Sequence, residues 1–444
     1  MKVIIRFGAL LALLLAVPAL ATIVTPEVIV MDQTGGLQAA IDATPAGGIL
    51  NLPTGEYVAP AAAGWLISKR ISIRGAGIGS ADDTSSAWGT ILRPYHGDTD
   101  TPDPDARVFT ILQTGGVYIS DLTIANMVPP NTASSNDSMG CGILVDNSDN
   151  KAAINSVTIS RVAVHNVGGW GIRVDGGDGS IDRSVNNLRL EDIDLASNKQ
   201  GGLNVRWCAA PSFTDVYSHD NGIYGMWLEA SSLSRVISCY FENNGEDATD
   251  ATYQAQVRAD GAHSTTFLGC GFEQFYRGTN KTGLTLNNCY GVTVTGCSFS
   301  NWDTALTTCS IRMVANTRGT VIGPNTHSYV NYAVRAAESD GIEGTIVEQQ
   351  ILLHRTAGNP CPGEVAIPTA ANSFNFTYGR ASNDGGYKIR GLRLPALTGI
   401  DGDTKDAAAY SKAFLMFDDV DKRFKYYDGN LWMTMKADTL KPQP

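Results

Sequence analysis

Charge is scarce in this sequence, and positive charge is scarcer. Charged residues make up 17% of the 444-residue chain, with 33 Lys and Arg against 44 Asp and Glu, for a net charge of −11. A chain this acidic lacks the phosphate-neutralising surface that nucleic-acid binding needs, so nucleic acid is excluded as a general partner. No apolar run after the first 21 residues is long enough to span a bilayer. None of the eight cysteines lies in a CxxC pair or a Cys/His cluster with zinc-ligand spacing.

What is present points outward from the cell. MKVIIRFGALLALLLAVPALA carries Lys2 and Arg6, an apolar run from Phe7, and a small-x-small site at Ala19-Leu20-Ala21. That is the layout of a secretory signal peptide, so the mature chain is expected to be exported, with no membrane span. Glycine is abundant at 47 residues, and short Val/Ile/Thr runs recur between turns, which suggests an all-β protein.

The runs form a repeat. Between residues 142 and 310 a unit recurs about every 22–31 residues. Its first part reads GILVD, GIRVD, GLNVR, GMWLE, QVRAD and GLTLN. Its second part reads SVTISRVAVHN, NLRLEDIDLASN, SFTDVYSHDN, SRVISCYFENN, TTFLGCGFEQ and VTVTGCSFSNW. Such units cannot bury a face alone but can do so when stacked, which is the signature of a parallel β-helix. Asn166, Asn198, Asn221, Asn243 and Asn301 close the units and are expected to form one ladder at a tight turn. Val162, Ile193, Val216, Cys239, Cys270 and Cys297 fall at one repeat position. The cysteines among them therefore read as free thiols in an interior file, with Phe241, Phe272 and Phe299 stacked alongside.

Ahead of the repeat, "GLQAAID" predicts a short amphipathic helix (Leu37, Ala40, Ile41) that caps the stack, and "GGILNLPTGEY" and "ISIRGAGIGS" predict its first strands and turns. This opening, with the GIxV and VxVxN coils, resembles the pectate-lyase-like superfamily of right-handed parallel β-helix proteins over about residues 30–350. The resemblance implies a single-stranded right-handed parallel β-helix. It leaves activity open, because the superfamily includes lyases, polygalacturonases, epimerases, tailspike depolymerases and non-catalytic adhesins. The N-T-D, G-H-G and R-I-K motifs of polygalacturonases and the W-I-D-H of pectate lyases are missing, so no catalytic residue transfers by match. The expected organisation is a signal peptide (1–21), a cap and first coils (22–110), the helix proper (111–358) and a β-rich C-terminal module (359–444). "FLMFDDVDKRFKYYDGNLWMTM" in that module reads as a hairpin turning at Asp428-Gly429, and the module is a candidate for assembling a homotrimer.

Aligning the repeat exposes one face. The outward residues of the first strand are Leu144/Asp146, Arg173/Asp175, Asn204/Arg206, Trp227/Glu229, Arg258/Asp260 and Thr285/Asn287. Arginines, carboxylates and aromatics are denser there than on an ordinary solvated sheet. Aromatic rings stack on sugar faces, arginines bind carboxylates or sulfates, and carboxylates act as acid and base. The expected ligand is a polysaccharide, an acidic one by this mixture, cleaved by hydrolysis or β-elimination; the alternative is a non-catalytic adhesin or virion-associated fibre. The candidate catalytic residues are Asp175, Arg206, Glu229, Arg258, Asp260 and His219. The candidate binding residues are Trp170, Arg173, Asn204, Trp207, Tyr224 and Trp227. Asp175, Glu229 and Asp260 are also candidates to hold Ca²⁺. His165, the acidic loops His96–Arg107 and Asp401–Asp406, and the loops Asn244–Gln254 and Asp146–Ser156 are secondary candidates.

Overall fold

The computed structural model describes residues 28–30, 36–79, 89–96 and, with short interruptions, 103–354, then separate strands between 364 and 434. The signal-like leader, the Asp401–Asp406 loop and the Asp428-Gly429 turn lie outside the described residues. The described part is almost entirely β. Eleven parallel strands, from Trp65–Ile67 to Glu364–Ala366, form one sheet, and a second parallel array runs beside it. A short third array pairs Ile154–Asn155, Val185–Asn186 and Cys208–Ala209. Successive coils therefore stack rung on rung within each array, as the repeat requires.

The registers match the sequence alignment. In the first sheet Ile172 pairs with Leu203, Leu203 with Met226, Met226 with Val257 and Val257 with Leu284. These residues and Val174, Val205, Leu228, Ala259 and Leu286 are fully buried and form the interior. Burying each such side chain contributes about 1.5–3 kcal/mol, repeated on every rung.

The glycine that opens most first strands has a steric reason. A Cβ at Gly202 would lie 2.0 Å from Ser218 Oγ, and one at Gly225 would lie 2.6 Å from Asn244 Nδ2. The backbone passes over an interior column of polar side chains and leaves no room for more.

That column differs from the expected one. The sequence reading put Asn166, Asn198, Asn221, Asn243 and Asn301 in a single ladder, and the structure separates them into two adjacent files. Asn166, Ser197, Asp220 and Asn243 hold the left-handed turn, with φ of 59°, 54°, 52° and 50°. The amide ladder is the next residue along. Asn198 Nδ2 donates to Asn221 Oδ1 (3.0 Å), Asn221 Nδ2 to Asn244 Oδ1 (2.8 Å) and Asn244 Nδ2 to Gln256 Oε1 (2.8 Å), and Gln256 Nε2 donates to Gln274. Gln274 pairs in register with Asn301. Asn244 rather than Asn243 belongs to the ladder, because the left-handed residue turns the chain and the residue after it points inward.

The thiol file is as expected. All seven described cysteines are buried and unpaired by disulfides. Beside Cys239, Cys270 and Cys297 the rings of Phe241, Phe272 and Phe299 stack at 5.4 and 4.6 Å, and His327 continues the stack at 5.3 Å. His327 is buried, 2.8 Å from Ser310 Oγ and 2.9 Å from Gln350 Oε1. Burial pushes its imidazole down to about 4.

At the N-terminal end, the helix Gly36–Ala43 buries Leu37, Ala40 and Ile41. Its Gln38 exchanges two hydrogen bonds with the backbone of Leu66. At the other end, parallel pairing gives way to antiparallel. Phe374–Arg380 pairs with Tyr387–Arg393, Phe414–Asp418 with Arg423–Tyr427, and the last with Trp432–Thr434.

Candidate functional site

Two outward files run along the first sheet. One is Leu144, Arg173, Asn204, Trp227, Arg258 and Thr285; the other is Asp146, Asp175, Arg206, Glu229, Asp260 and Asn287. Alternation along each strand sends these side chains away from the interior. Trp170 and Tyr224 stand at the start of their strands and pack with Trp227, at ring separations of 6.1 and 5.5 Å. With Cys141, Leu144 and Ala255 they make a second apolar cluster, separate from the solenoid core.

The two carboxyl groups on adjacent rungs have different surroundings. Asp260 accepts from Trp227 Nε1 (2.7 Å), Arg258 Nε (2.6 Å) and Asn287 Nδ2 (2.7 Å). Arg258 lies over the Trp227 ring at 5.6 Å and donates to the Tyr224 hydroxyl at 3.2 Å. Glu229 accepts one bond, from Asn204 Nδ2 at 2.8 Å. Burial pushes the Glu229 carboxyl above its ordinary range, against the Asn204 bond and the charges of Arg173 and Arg206. Two neighbouring carboxyl groups in contrasting environments are the usual setting for acid and base roles.

The face closes toward its N-terminal rungs. Trp227, Glu229, Arg258 and Asp260 are half-buried, whereas Arg173 is 5% exposed and Asn204 is 0% exposed. Arg173 Nη2 lies 3.6 Å from Asp175 Oδ2, and Asp175 Oδ1 accepts from the Gly177 amide at 3.0 Å. Arg173 Nε and Nη1, Asn204 Oδ1 and Trp170 Nε1 are buried without a hydrogen-bond partner among the described residues.

Other candidates lie elsewhere. Trp207 is half-buried at the turn after its strand, with a left-handed φ of 52°. His219 belongs to the second sheet. Its Nδ1 is 2.8 Å from Asp220 Oδ2, its Nε2 is 3.2 Å from Asp194 Oδ1, and its ring stacks on Tyr217 at 4.2 Å. His165 Nε2 approaches the other Asp194 oxygen at 3.0 Å. Burial opposes a charge on His219, but the two carboxylates push its imidazole up to about 9. Burial likewise opposes a charge on Asp194, yet the two histidines hold its carboxyl well below the usual range. His219 is thus held as a cation in a closed pair network instead of standing free as a base. Asp194, Asp220 and Tyr217 were missed because only the first strand was read in columns; the same reading of "RLEDIDLASN" and "SFTDVYSHDN" places them together.

The calcium expectation does not fit the geometry. Asp175, Glu229 and Asp260 sit on different rungs, and Asp260 is occupied by three donors. Among the described residues no group of three His, Cys, Asp or Glu is placed to hold a metal ion. Of the acidic loop His96–Arg107, residues 97–102 lie outside the described residues; Asp105 accepts from Ser134 and from the amide and hydroxyl of Ser135. Asp146 caps its own turn through Ser148, and the loop after Asn244 is outside the described residues from 246 to 254.

The fold and face define a parallel β-helix whose first sheet turns polar and aromatic side chains outward. Residues 108–326 match the family model described as a right handed beta helix region. The fold is that of a right-handed parallel β-helix. Among solved structures it is similar to the A-module of a mannuronan C-5 epimerase from Azotobacter vinelandii, at 17% identity over 74% of this chain and 94% of that one, with a TM-score of 0.46. It is also similar to a DFA-IIIase from Arthrobacter chlorophenolicus A6, at 14% identity over 79% of this chain and 92% of that one, with a TM-score of 0.46. A third is a tailspike protein of an Acinetobacter baumannii bacteriophage, a capsular polysaccharide depolymerase, at 17% identity over 93% of this chain and 77% of that one, with a TM-score of 0.40. These likenesses are of fold. No curated protein sequence matches the chain.

Proposed function

We propose that this protein is an exported enzyme that hydrolyses a polysaccharide lying along the outward face of the first sheet. The observation that carries the reading is the pair Glu229 and Asp260 on adjacent rungs, one desolvated and singly bonded, the other ringed by three donors. Their Cα atoms are about 4.8 Å apart by strand spacing, which suits the roughly 5 Å carboxyl separation of retaining glycosidases. Glu229 holds the proton and donates it to the glycosidic oxygen as the C–O bond breaks. Asp260 attacks the anomeric carbon, and water then releases the sugar with Glu229 taking back a proton. Trp227 and Tyr224 supply flat apolar surface for sugar rings. Export is supported by the leader-like N-terminus, and no helix among the described residues is long and apolar enough to cross a membrane. A homotrimer built through the C-terminal strands remains part of this reading.

The test is to incubate the purified protein with a panel of polysaccharides and follow reducing ends and the ultraviolet absorbance of unsaturated sugars. New reducing ends without that absorbance are expected, and they are expected to disappear in Glu229→Gln. Absorbance from an unsaturated uronate would replace hydrolysis by β-elimination. Cleavage of no glycan in the panel would sink the enzyme reading and favour a binding or fibre protein.

A further inference from the structure

We propose that Asn204 is a positioning residue for the acid Glu229: its side-chain amide binds Oε1 and so leaves Oε2 as the oxygen that carries and delivers the proton. The inference rests on reading Glu229 as the general acid and names the group that directs it. Asn204 Nδ2 lies 2.8 Å from Glu229 Oε1 and 3.4 Å from the Trp227 carbonyl oxygen. Two acceptors on one side identify that atom as the amide nitrogen, because a carbonyl oxygen there would repel both. Asn204 is 0% exposed, and its backbone pairs in register with Arg173 on one rung and Trp227 on the next. The amide is therefore fixed before any glycan arrives, and it needs no contact with one.

A carboxylic acid accepts through its carbonyl oxygen, so an N–H donor on Oε1 places the proton on Oε2. No hydrogen bond among the described residues reaches Oε2. As the glycosidic C–O bond breaks, its electron pair stays with the leaving oxygen, that oxygen takes the Oε2 proton, and Glu229 becomes a carboxylate. The Asn204 bond then becomes charge-assisted and strengthens. An interaction stronger in the transition state than in the ground state speeds the step, whereas a uniform one does not. A neutral donor suits this place. Arg206 is the register partner of Glu229, yet no ion pair joins them among the described residues. A salt bridge would hold the carboxyl ionised and remove the proton it must give. Burial is the largest influence on Glu229 and leaves it above its ordinary range; of the charged groups that face it, Arg173 and Arg206 act against burial and Asp260 acts with it. The fold itself gains little from Asn204, whose Oδ1 is buried without a partner among the described residues.

The experiment compares Asn204→Leu and Asn204→Ala with the wild type in the full chain. One variant fills the site and the other leaves space, so neither crowding nor a cavity explains a result common to both. The Glu229 carboxyl is followed by carbon NMR titration in protein carrying isotope-labelled glutamate, with the signal assigned through Glu229→Gln. Loss of the donor weakens the ionised form, so Glu229 should titrate at higher pH in both variants. Against a glycan that the wild type cleaves, kcat should fall about ten- to a hundredfold with KM little changed, the cost of a misplaced acid. The alkaline limb of kcat/KM should move to higher pH, because the acid keeps its proton longer. A Glu229 titration that stays in place or moves down in both variants, or a kcat equal to that of the wild type, would overturn the proposal. A lowered urea midpoint with an unmoved titration would do so as well, by making Asn204 part of the scaffold. The two readings fail separately. A shifted titration in a protein that cleaves no glycan keeps the coupling of Asn204 to Glu229 and ends the enzyme reading; cleavage with the titration and the alkaline limb unmoved does the reverse.

Discussion

Two groups of charged side chains stand on the outside of the same solenoid, and they differ in how fully they satisfy each other. On the second sheet, Asp194 is bonded by His165 and His219, and His219 by Asp194 and Asp220. On the first sheet, Arg173 and Asn204 are more deeply buried yet keep polar atoms without partners among the described residues. A closed network is what stability alone selects. An under-satisfied buried cation costs the fold free energy. The contrast is why the proposed function is placed on the first sheet, although histidines are the commoner catalytic groups.

The largest effect is expected at Glu229. Glu229→Gln should lower glycan cleavage by about 100- to 10,000-fold, the range typical of a lost general acid, with the unfolding midpoint little changed. A comparable loss of stability would instead make Glu229 part of the scaffold. Next is the interior amide ladder, which is hydrogen-bonded continuously from Asn198 to Gln274. Asn221→Leu strands the Asn198 amide and the Leu195 carbonyl and should cost about 2–4 kcal/mol in urea denaturation, by the penalty for several buried unmade bonds. A cost near zero would show that the ladder is not structural.

The two perturbed histidines should give stability opposite pH dependences. His327 is lowered to about 4, so the unfolded chain binds its proton first, and stability falls as pH drops from about 6.5 toward 4. The loss is on the order of 3 kcal/mol at the lower limit. His219 is raised to about 9, so its contribution is full below about 6.5 and is lost as pH rises toward 9. His327→Gln should flatten the acid limb and His219→Gln the alkaline limb; limbs that survive these changes would assign them to other groups. A smaller change is expected for Asp194→Asn. Its side chain is 39% exposed, so screening limits the cost to about 1 kcal/mol, measured by the shift in urea midpoint. No shift at all would remove the stabilising half of the comparison.

Much of the fold could be read from the chain before any coordinates. The spacing of GIRVD, GLNVR and GMWLE fixes which residues share a file, and the observed registers place Arg173 beside Asn204 and Asp175 beside Arg206. Parallel stacking makes this possible, since equal repeat positions must lie on neighbouring rungs. The Asn243/Asn244 choice was not legible. Both are asparagines at a turn, and only the backbone dihedral decides which one turns the chain and which points inward.

The sequence alone therefore determined the stack, the inward files and the composition of the outward face, because strand alternation and repeat spacing are local properties. The tertiary structure decided what those outward residues experience. It buried Arg173, desolvated Glu229, surrounded Asp260 with donors and paired His219 with a carboxylate 25 residues away in the chain. Burial and hydrogen bonding depend on neighbours from other coils and on what lies over the sheet, and no single repeat carries that information.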